Sequence, residues 1–421
     1  MGPQITPEGY IDGVASFVPP GADARARPRD EPAEHARVGL RHRGMSSVYF
    51  PKRSFTMELR DDGGRDREAP LFGMPADSDW VLYGPYSDKS LLRNYLFYGW
   101  SRAIGRYAPR VQFVEAFVHE GTGPISRVDY EGLYAVVERV TVGEQRVDIE
   151  PLEPEDGAEP EVSGGYLLAR DWVDPGEVEL TTSMGVPFVI REPDEDDVTD
   201  AQRQWLLAWL GEMESVLASS RRDDPALGYR QYLDEGSFID HHLLIEMARN
   251  VDGLRLSAFM YKEREGPLHV GPVWDCNTCF GNIDFHEGQY AEGWYHAPFE
   301  SDDGVRTDLD CSCPTRCGDP SCVPTWWAHL FASPGFVARY RARWAELRAG
   351  PLRDETLMAD IDAGVELVRE AQARNFARWT ILGIRVWPNF YVGATWEDEV
   401  QYLRDWLLDR VHWMDEQLLG P

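Results

Sequence analysis

Two aspartates, Asp252 and Asp275, lie on either side of a stretch whose pattern predicts a β-hairpin. A helix predicted to end near Asn250 leaves Asp252 in an Asn-Val-Asp-Gly turn, and Asp275 ends an apolar run in Val-Trp-Asp. This order can place the two carboxylates side by side. Phosphoryl transfer needs one carboxylate to orient or deprotonate the attacking hydroxyl and another, with amide oxygens, to hold magnesium against the phosphates. The pair suits that chemistry. The alternative is that Asp252 only forms a turn and that Asp275 only ends a strand.

A second candidate site lies in Asp88-Lys-Ser-Leu-Leu-Arg-Asn94, which opens a helix predicted over about 89–104. Backbone amides at a helix N-terminus bind anions, and Lys89 and Arg93 would add positive charge there. The segment therefore predicts a contact with phosphate. The alternative is that Asp88 only caps the helix and that Arg93 is an exposed helical residue.

The first half of the chain alternates apolar and polar residues, as half-buried strands do. Strands are predicted at 38–43, 54–59, 111–118, 132–138 and 165–169. Acidic, Pro-containing linkers at 150–161 and 192–200 follow, and the pattern then becomes helical at 201–218, 237–249, 334–348, 355–376 and 396–419. The prediction is an α+β protein with an N-terminal arm or loop (1–37), a sheet-rich lobe (38–200) and a helix-rich lobe (201–421).

The charge of the chain limits its partners. It has 42 basic and 72 acidic side chains, a formal net charge of −30. Such a field repels nucleic acid and anionic membranes, so nucleic acid is not expected as a partner. An anionic ligand such as ATP would need a local basic cluster and a divalent cation. No stretch approaches the roughly 18 consecutive apolar residues of a membrane helix, and the first residues, MGPQITPEGY, lack a signal-peptide pattern.

All six cysteines lie between positions 276 and 322. They are Cys276 and Cys279, followed by Cys311, Cys313, Cys317 and Cys322 in a Cys-rich insertion at about 283–323. An even number in one local cluster suits two or three disulfides that brace a loop, and this favours a secreted or cell-surface protein. A Zn²⁺ site formed by the last four thiolates is an alternative, and free thiols are a third.

Seven motifs occur in a fixed order along the chain. They are Arg43-Gly-Met-Ser-Ser47, Phe50-Pro-Lys-Arg-Ser-Phe55, Asp79-Trp-Val-Leu82, Asp88-Lys-Ser-Leu-Leu-Arg-Asn94, Gly132-Leu-Tyr-Ala-Val-Val-Glu-Arg139, Asn250-Val-Asp-Gly253 and Val273-Trp-Asp-Cys-Asn-Thr-Cys-Phe-Gly-Asn282. In these motifs the chain resembles the spore-coat CotH kinases, roughly over residues 38–415. The resemblance implies an atypical, two-lobed protein-kinase-like fold that binds ATP with Mg²⁺ or Mn²⁺ and phosphorylates Ser or Thr of proteins, itself included.

The resemblance also implies roles for individual residues. Asp252 stands at the position of the catalytic aspartate, and Asp275 at that of the metal-holding aspartate. Lys52 is the first candidate for the phosphate-facing lysine, with Glu138 on a facing strand to position it, as kinases pair a strand lysine with a glutamate. Asn277 would be a further ligand of Mg²⁺.

Three residues depart from the family pattern. Met45 replaces an Asn, Asn277 replaces a second Asp, and Arg139 replaces a Lys. A neutral Asn277 would lower metal affinity, although protein kinases do use an asparagine as a magnesium ligand. These departures leave an alternative open: a nucleotide-binding surface or coat protein whose transfer activity is lost or altered, for example to AMP transfer.

Overall fold

Two antiparallel sheets organise the chain in the computed structural model, which describes residues 9–296 and 326–420 apart from positions 24, 46, 120, 122, 174 and 175. The first sheet contains β1 (Ile11–Phe17), β2 (Glu34–Arg43), β3 (Ser54–Arg60), β4 (Asp79–Tyr83), β5 (Val111–Phe117) and β6 (Tyr130–Glu138), in the order β1-β2-β3-β4-β6-β5. The second contains β7 (Tyr166–Arg170), β8 (Glu179–Thr181), β9 (Pro187–Glu192), β10 (Ala258–Lys262) and β11 (Leu268–Val270), in the order β11-β10-β7-β9-β8.

Helices dominate the second half of the chain. They are α1 (Arg93–Ala103), α2 (Asp200–Ala218), α3 (Glu235–Ala248), α4 (Trp326–Phe331), α5 (Pro334–Ala349), α6 (Asp354–Arg378) and α7 (Trp396–Leu419). The predicted α+β class, with a sheet-rich first half followed by helices, is confirmed. Each of the five helices predicted beyond residue 200 is present, with ends within two residues of those predicted.

Helix α3 lies at the centre of the fold, since 12 of its 14 residues are buried. Its N-terminus is capped by Asp234, whose carboxylate accepts a hydrogen bond from the N–H of Ser237 over 2.7 Å. Helices α1, α5 and α7 and strand β11 pack around it. A helix buried on every side has little freedom to shift, so the turn that follows its C-terminus is held in place.

The N-terminal segment differs from the prediction, because strand β1 forms where a loop or arm was expected and β2 already begins at Glu34. Strand β1 pairs with β2 over seven positions, and its Ala15 and Phe17 pack against the cluster that contains Val38. The inward-facing positions of β1 include Gly13 and Ala15, whose small side chains give a weak alternation signal.

Helix α1 begins at Arg93 rather than near residue 89, and Leu92, not Asp88, is its N-cap. Leu91 has a φ of 70°, in the left-handed region, so no regular helix runs through it. None of the helices in the described part of the chain combines the length and hydrophobicity needed to cross a membrane.

Candidate active site

Asp252 stands in a tight turn directly after α3. The helix ends at Ala248, and Arg249 takes a left-handed conformation with φ of 46°. The side-chain oxygen of Asn250 then accepts hydrogen bonds from the N–H groups of Asp252 and Gly253, over 3.1 and 3.2 Å. This Asx turn leaves the half-buried Asp252 carboxylate 2.8 Å from the guanidinium of Arg255. Burial raises the pKa of Asp252, and the charge of Arg255 opposes that rise.

Asp275 stands five residues after the end of β11, in a left-handed conformation with φ of 48°. Its backbone N–H donates a hydrogen bond to the hydroxyl of Tyr98 on α1 over 3.1 Å, and its carboxylate accepts one from the backbone N–H of Asn277. Burial and the neighbouring charge of Asp252 raise the pKa of Asp275 to about 6, while Arg43 acts in the opposite direction. Asp252 is therefore close enough to affect the ionisation of Asp275.

Asn250 connects the two aspartate segments. Its side-chain N–H₂ donates to the carbonyl oxygen of Asp275 over 3.1 Å, and more weakly to that of Trp274 over 3.4 Å. Its oxygen holds the Asp252 turn, as described above. The predicted proximity of Asp252 and Asp275 is thus present, and one buried asparagine joins their backbones.

Arg43 is a site residue that the sequence did not single out. It is the last residue of β2, and its guanidinium lies 5.4 Å from the ring centroid of Trp274, which stacks on Tyr98 at 5.8 Å. Burial lowers the pKa of Arg43, and Asp275 opposes this shift. The available signal was its place at a strand end, directly before the Gly-Met-Ser-Ser turn.

Asp171 is a third carboxylate in this region. It follows β7, and its negative charge adds to the effects that raise the pKa of Asp275, after burial and Asp252. Together with Trp172 and Phe188 it lines a cavity of about 290 Å³. No sequence motif marks Asp171, because the end of β7 is brought towards this site by the pairing of β7 with β10.

Lys52 and Glu138 are not brought together. The ammonium group of Lys52, 1% exposed, donates to the carbonyl oxygens of Leu133 and Pro85 and, over 2.7 Å, to Asn375 on α6. Glu138 lies five residues beyond Leu133 on β6, a separation of about 17 Å along a strand. The Glu138 carboxylate instead accepts hydrogen bonds from Arg110, over 2.7 and 2.8 Å.

The contacts of Lys52 give it a structural role, and its phosphate-facing role stays a prediction. A lysine that faces phosphate must present its ammonium group to the ligand, whereas this group already has three protein acceptors. Burial lowers the pKa of Lys52 well below its ordinary value. In the structure Lys52 joins the first sheet to α6.

Lys89 and Arg93 are also committed to protein partners. Lys89 donates to the carbonyl oxygen of Ile384 and lies 3.8 Å from Glu399. Arg93 forms a buried ion pair with Asp88 over 2.6 Å and donates to the carbonyl oxygen of Cys279 over 2.9 Å. Both cations thus have acidic or carbonyl partners in the structure, and their contact with phosphate stays a prediction. Through Cys279, however, Arg93 supports the segment that follows Asp275.

The predicted metal ligands, Asp275 and Asn277, are both half-buried. No group of three His, Cys, Asp or Glu side chains that could hold a metal ion is present within the described residues. Magnesium bound beside nucleotide phosphates takes only one or two protein carboxylates and fills its other positions with phosphate and water oxygens. The donor types fit such an ion, and a cation beside Asp275 would offset the repulsion from Asp252.

The cysteines divide into two groups. Cys276 and Cys279 form a disulfide with both residues fully buried. Cys311, Cys313, Cys317 and Cys322 lie outside the described residues, so their predicted disulfides or zinc site remain predictions.

In a comparison with known protein families, one family model covers nearly the whole chain. The family model described as "CotH kinase protein" matches residues 40–414. This range contains every candidate site residue named above. No curated protein matches the chain.

Proposed function

The chain belongs to the CotH kinase family, and we propose that it transfers the terminal phosphoryl group of ATP to serine or threonine hydroxyls of a protein. The observation that supports this most directly is the link that Asn250 makes between the segments of Asp252 and Asp275, together with the effect of the Asp252 charge on Asp275. Family membership supports a kinase reaction; the acceptor residue type and the metal requirement are part of the proposal.

In this proposal Asp252 orients the acceptor hydroxyl and takes its proton as the hydroxyl oxygen bonds to phosphorus and the bond to ADP breaks. The ion pair with Arg255 favours the ionised form of Asp252, against the effect of burial on its pKa. Asp275 and Asn277 would hold Mg²⁺ or Mn²⁺, which neutralises charge on the phosphates when bound. Arg43 lies at the end of β2 and interacts electrostatically with Asp275, and in this proposal it contacts a phosphate oxygen.

We further propose that the chain adopts the two-lobed arrangement of kinases, with the first sheet, β1 included, in one lobe and the helix-rich second half in the other. The second sheet combines strands from both sides of residue 200, namely β7 to β9 with β10 and β11, so a division near that residue would have to cross this sheet. The proposed reaction centre draws Arg43 from the first sheet and Asp252 and Asp275 from the later segments, as a site between two lobes would.

Intact-mass spectrometry tests the proposal. The purified chain is incubated with ATP and either Mg²⁺ or Mn²⁺, beside Asp275→Ala and Asp252→Ala variants, with and without a serine- and threonine-containing acceptor protein. A gain of one phosphate mass by the wild type or the acceptor, absent with both variants, supports the assignment. Phosphate transfer that persists in both variants contradicts it.

A second candidate function follows from Asn277. With an amide in place of the second carboxylate of the family pattern, the site has one negative ligand fewer for a cation. The chain would then bind nucleotide without transfer, or would move AMP instead of phosphate. In the same experiment a mass gain of one AMP identifies the altered transfer, whereas ATP-dependent thermal stabilisation without any mass gain identifies binding alone.

A further inference from the structure

The Cys276–Cys279 disulfide encloses a proposed metal ligand. Asn277 lies between the two cysteines, and Asp275 directly precedes them. Both cysteines are fully buried, whereas Asp275 and Asn277 are half-buried. The disulfide therefore lies in the core, whereas the side chains of Asp275 and Asn277 are partly exposed at the site.

Both ends of this short loop are anchored to helix α1. The backbone N–H of Cys276 donates to the side-chain oxygen of Asn94 over 2.7 Å, and the carbonyl oxygen of Cys279 accepts from Arg93 over 2.9 Å. Phe280 then packs edge-on against Trp100 at 5.6 Å. These contacts do not depend on the disulfide, so the chain is expected to keep its fold when the link is opened.

The interior of the loop has fewer constraints. The carbonyl oxygen of Asn277 accepts a hydrogen bond from Asn282 over 2.8 Å, but the described residues provide no hydrogen-bond partner for the Asn277 side chain. A neutral amide attracts a cation less strongly than a carboxylate does, so its contribution depends more on being held in position before the ion arrives. The disulfide supplies that constraint at Cys276, directly before Asn277, and at Cys279, two residues after it.

We propose that the Cys276–Cys279 disulfide positions Asp275 and Asn277 for the divalent cation, so that the oxidised chain is the form competent to bind it. The inference rests on the proposed function, since it assigns these residues to the cation that accompanies ATP. Opening the link takes two electrons and two protons from a thiol reductant such as dithiothreitol, which closes to its cyclic disulfide while the chain gains two thiols.

The test measures Mn²⁺ binding rather than catalysis. Free Mn²⁺ is titrated by electron paramagnetic resonance in the presence of a non-hydrolysable ATP analogue, for unreduced wild type, dithiothreitol-reduced wild type and the Cys276→Ala/Cys279→Ala variant. Circular dichroism checks that each sample is folded. The Kd for Mn²⁺ is expected to be about tenfold higher in the reduced and variant samples, the effect typical of residues that orient metal ligands. Reoxidation with oxidised glutathione should restore the affinity of the wild type alone.

The double variant is also the control for the other four cysteines, which it retains: its affinity for Mn²⁺ should not respond to dithiothreitol. Peptide mapping of the unreduced, alkylated wild type should find Cys276 linked to Cys279. Equal affinities in all three samples, or free thiols at both positions, would overturn the inference. If Mn²⁺ binding depends on the disulfide but no phosphate is ever transferred, the proposed function fails and the positioning role stands.

Discussion

The side-chain amide of Asn250 donates a hydrogen bond to the carbonyl oxygen of Asp275 over 3.1 Å. Its oxygen accepts from the N–H of Asp252 over the same distance. One side chain with only two rotatable bonds thus joins the turn after α3 to the segment after β11. The relative position of the two carboxylates therefore depends on a residue that need not touch either substrate.

Replacing Asn250 should change the relative position of Asp252 and Asp275 while both carboxylates remain present. Asn250→Asp keeps the oxygen acceptor, removes the donor to Asp275 and adds a negative charge beside two others. We expect the phosphoryl-transfer rate to fall about 10- to 100-fold and the free energy of unfolding to fall by about 1–3 kcal/mol. Rates of phosphate incorporation and urea unfolding measure the two effects.

The matched control is Gln202→Glu, because Gln202 is also buried, its oxygen accepts from the N–H of Thr199, and its amide donates to the carbonyl oxygen of Glu153 rather than to either aspartate segment. It should lose comparable stability with a much smaller loss of rate. Equal rate losses in the two variants would show that Asn250 acts only through stability.

Lys52 should prove structural. Lys52→Met removes the ammonium group that donates hydrogen bonds to the carbonyl oxygens of Leu133 and Pro85 and to the side-chain oxygen of Asn375. These buried oxygens then lose their donor. The free energy of unfolding should fall by about 1–3 kcal/mol, while the Kd for ATP of the folded protein stays within about twofold of wild type. Isothermal titration calorimetry measures the Kd and urea unfolding the stability. A large loss of ATP affinity with unchanged stability would restore Lys52 as the phosphate-facing lysine.

Arg43 should behave in the opposite way. Arg43→Met keeps most of the side-chain length but removes the charge that faces Asp275. We expect kcat/KM for ATP to fall about 100-fold, the typical effect of losing one group that stabilises transition-state charge. Arg53→Met is the control, because Arg53 is an exposed neighbour whose guanidinium contacts His42. If both variants keep wild-type kcat/KM, Arg43 has no part in phosphate binding.

The sequence predicted what depends on local pattern. Helices α6 and α7 were located because long amphipathic repeats and capping residues mark their ends, as Thr395 does for α7. The proximity of Asp252 and Asp275 was also predictable, because a hairpin returns the chain to its starting point. In both cases the decisive contacts join residues that are close in sequence.

The orientation of the basic residues was not predictable from the sequence. Lys52 points at Asn375, which is 323 positions away, and Arg43 faces a carboxylate more than 200 positions away. A lysine after a turn has the same local pattern whether it meets a phosphate or a distant helix. Only the packing of α6 on the first sheet decides between them.

The buried His241 should make the stability of the protein depend on pH. Its Nε2 contacts the carbonyl oxygen of Gly253, and burial lowers its pKa to about 4. The unfolded chain takes up a proton near pH 6.5, while the folded chain does not until about pH 4. This contribution to stability is therefore complete above pH 6.5 and is lost as the pH falls towards 4, by about 3 kcal/mol.

Urea unfolding between pH 7 and 4 tests this expectation with His241→Gln, which cannot titrate. The variant should lose less stability than wild type on acidification. Burial also lowers the pKa of the neighbouring His242, which accounts for part of the pH dependence of stability that remains in the variant. His412→Gln is the exposed control, since His412 lies at the surface beside Asp354. Identical pH slopes for His241→Gln and wild type would contradict the expectation.

Restoring a carboxylate at position 277 should strengthen metal binding. Asn277→Asp adds a negative ligand beside Asp275. The ionised form of Asp275 is already disfavoured by burial and by the charge of Asp252, which raise its pKa. With Mn²⁺ and a non-hydrolysable ATP analogue, the Kd for Mn²⁺ should fall about tenfold, since one more charge favours the cation by an amount on the order of 1.4 kcal/mol. Without metal the same charge has no partner, so the melting temperature should fall. An Asn277→Asp variant whose Kd for Mn²⁺ equals that of the wild type would place residue 277 outside the metal site.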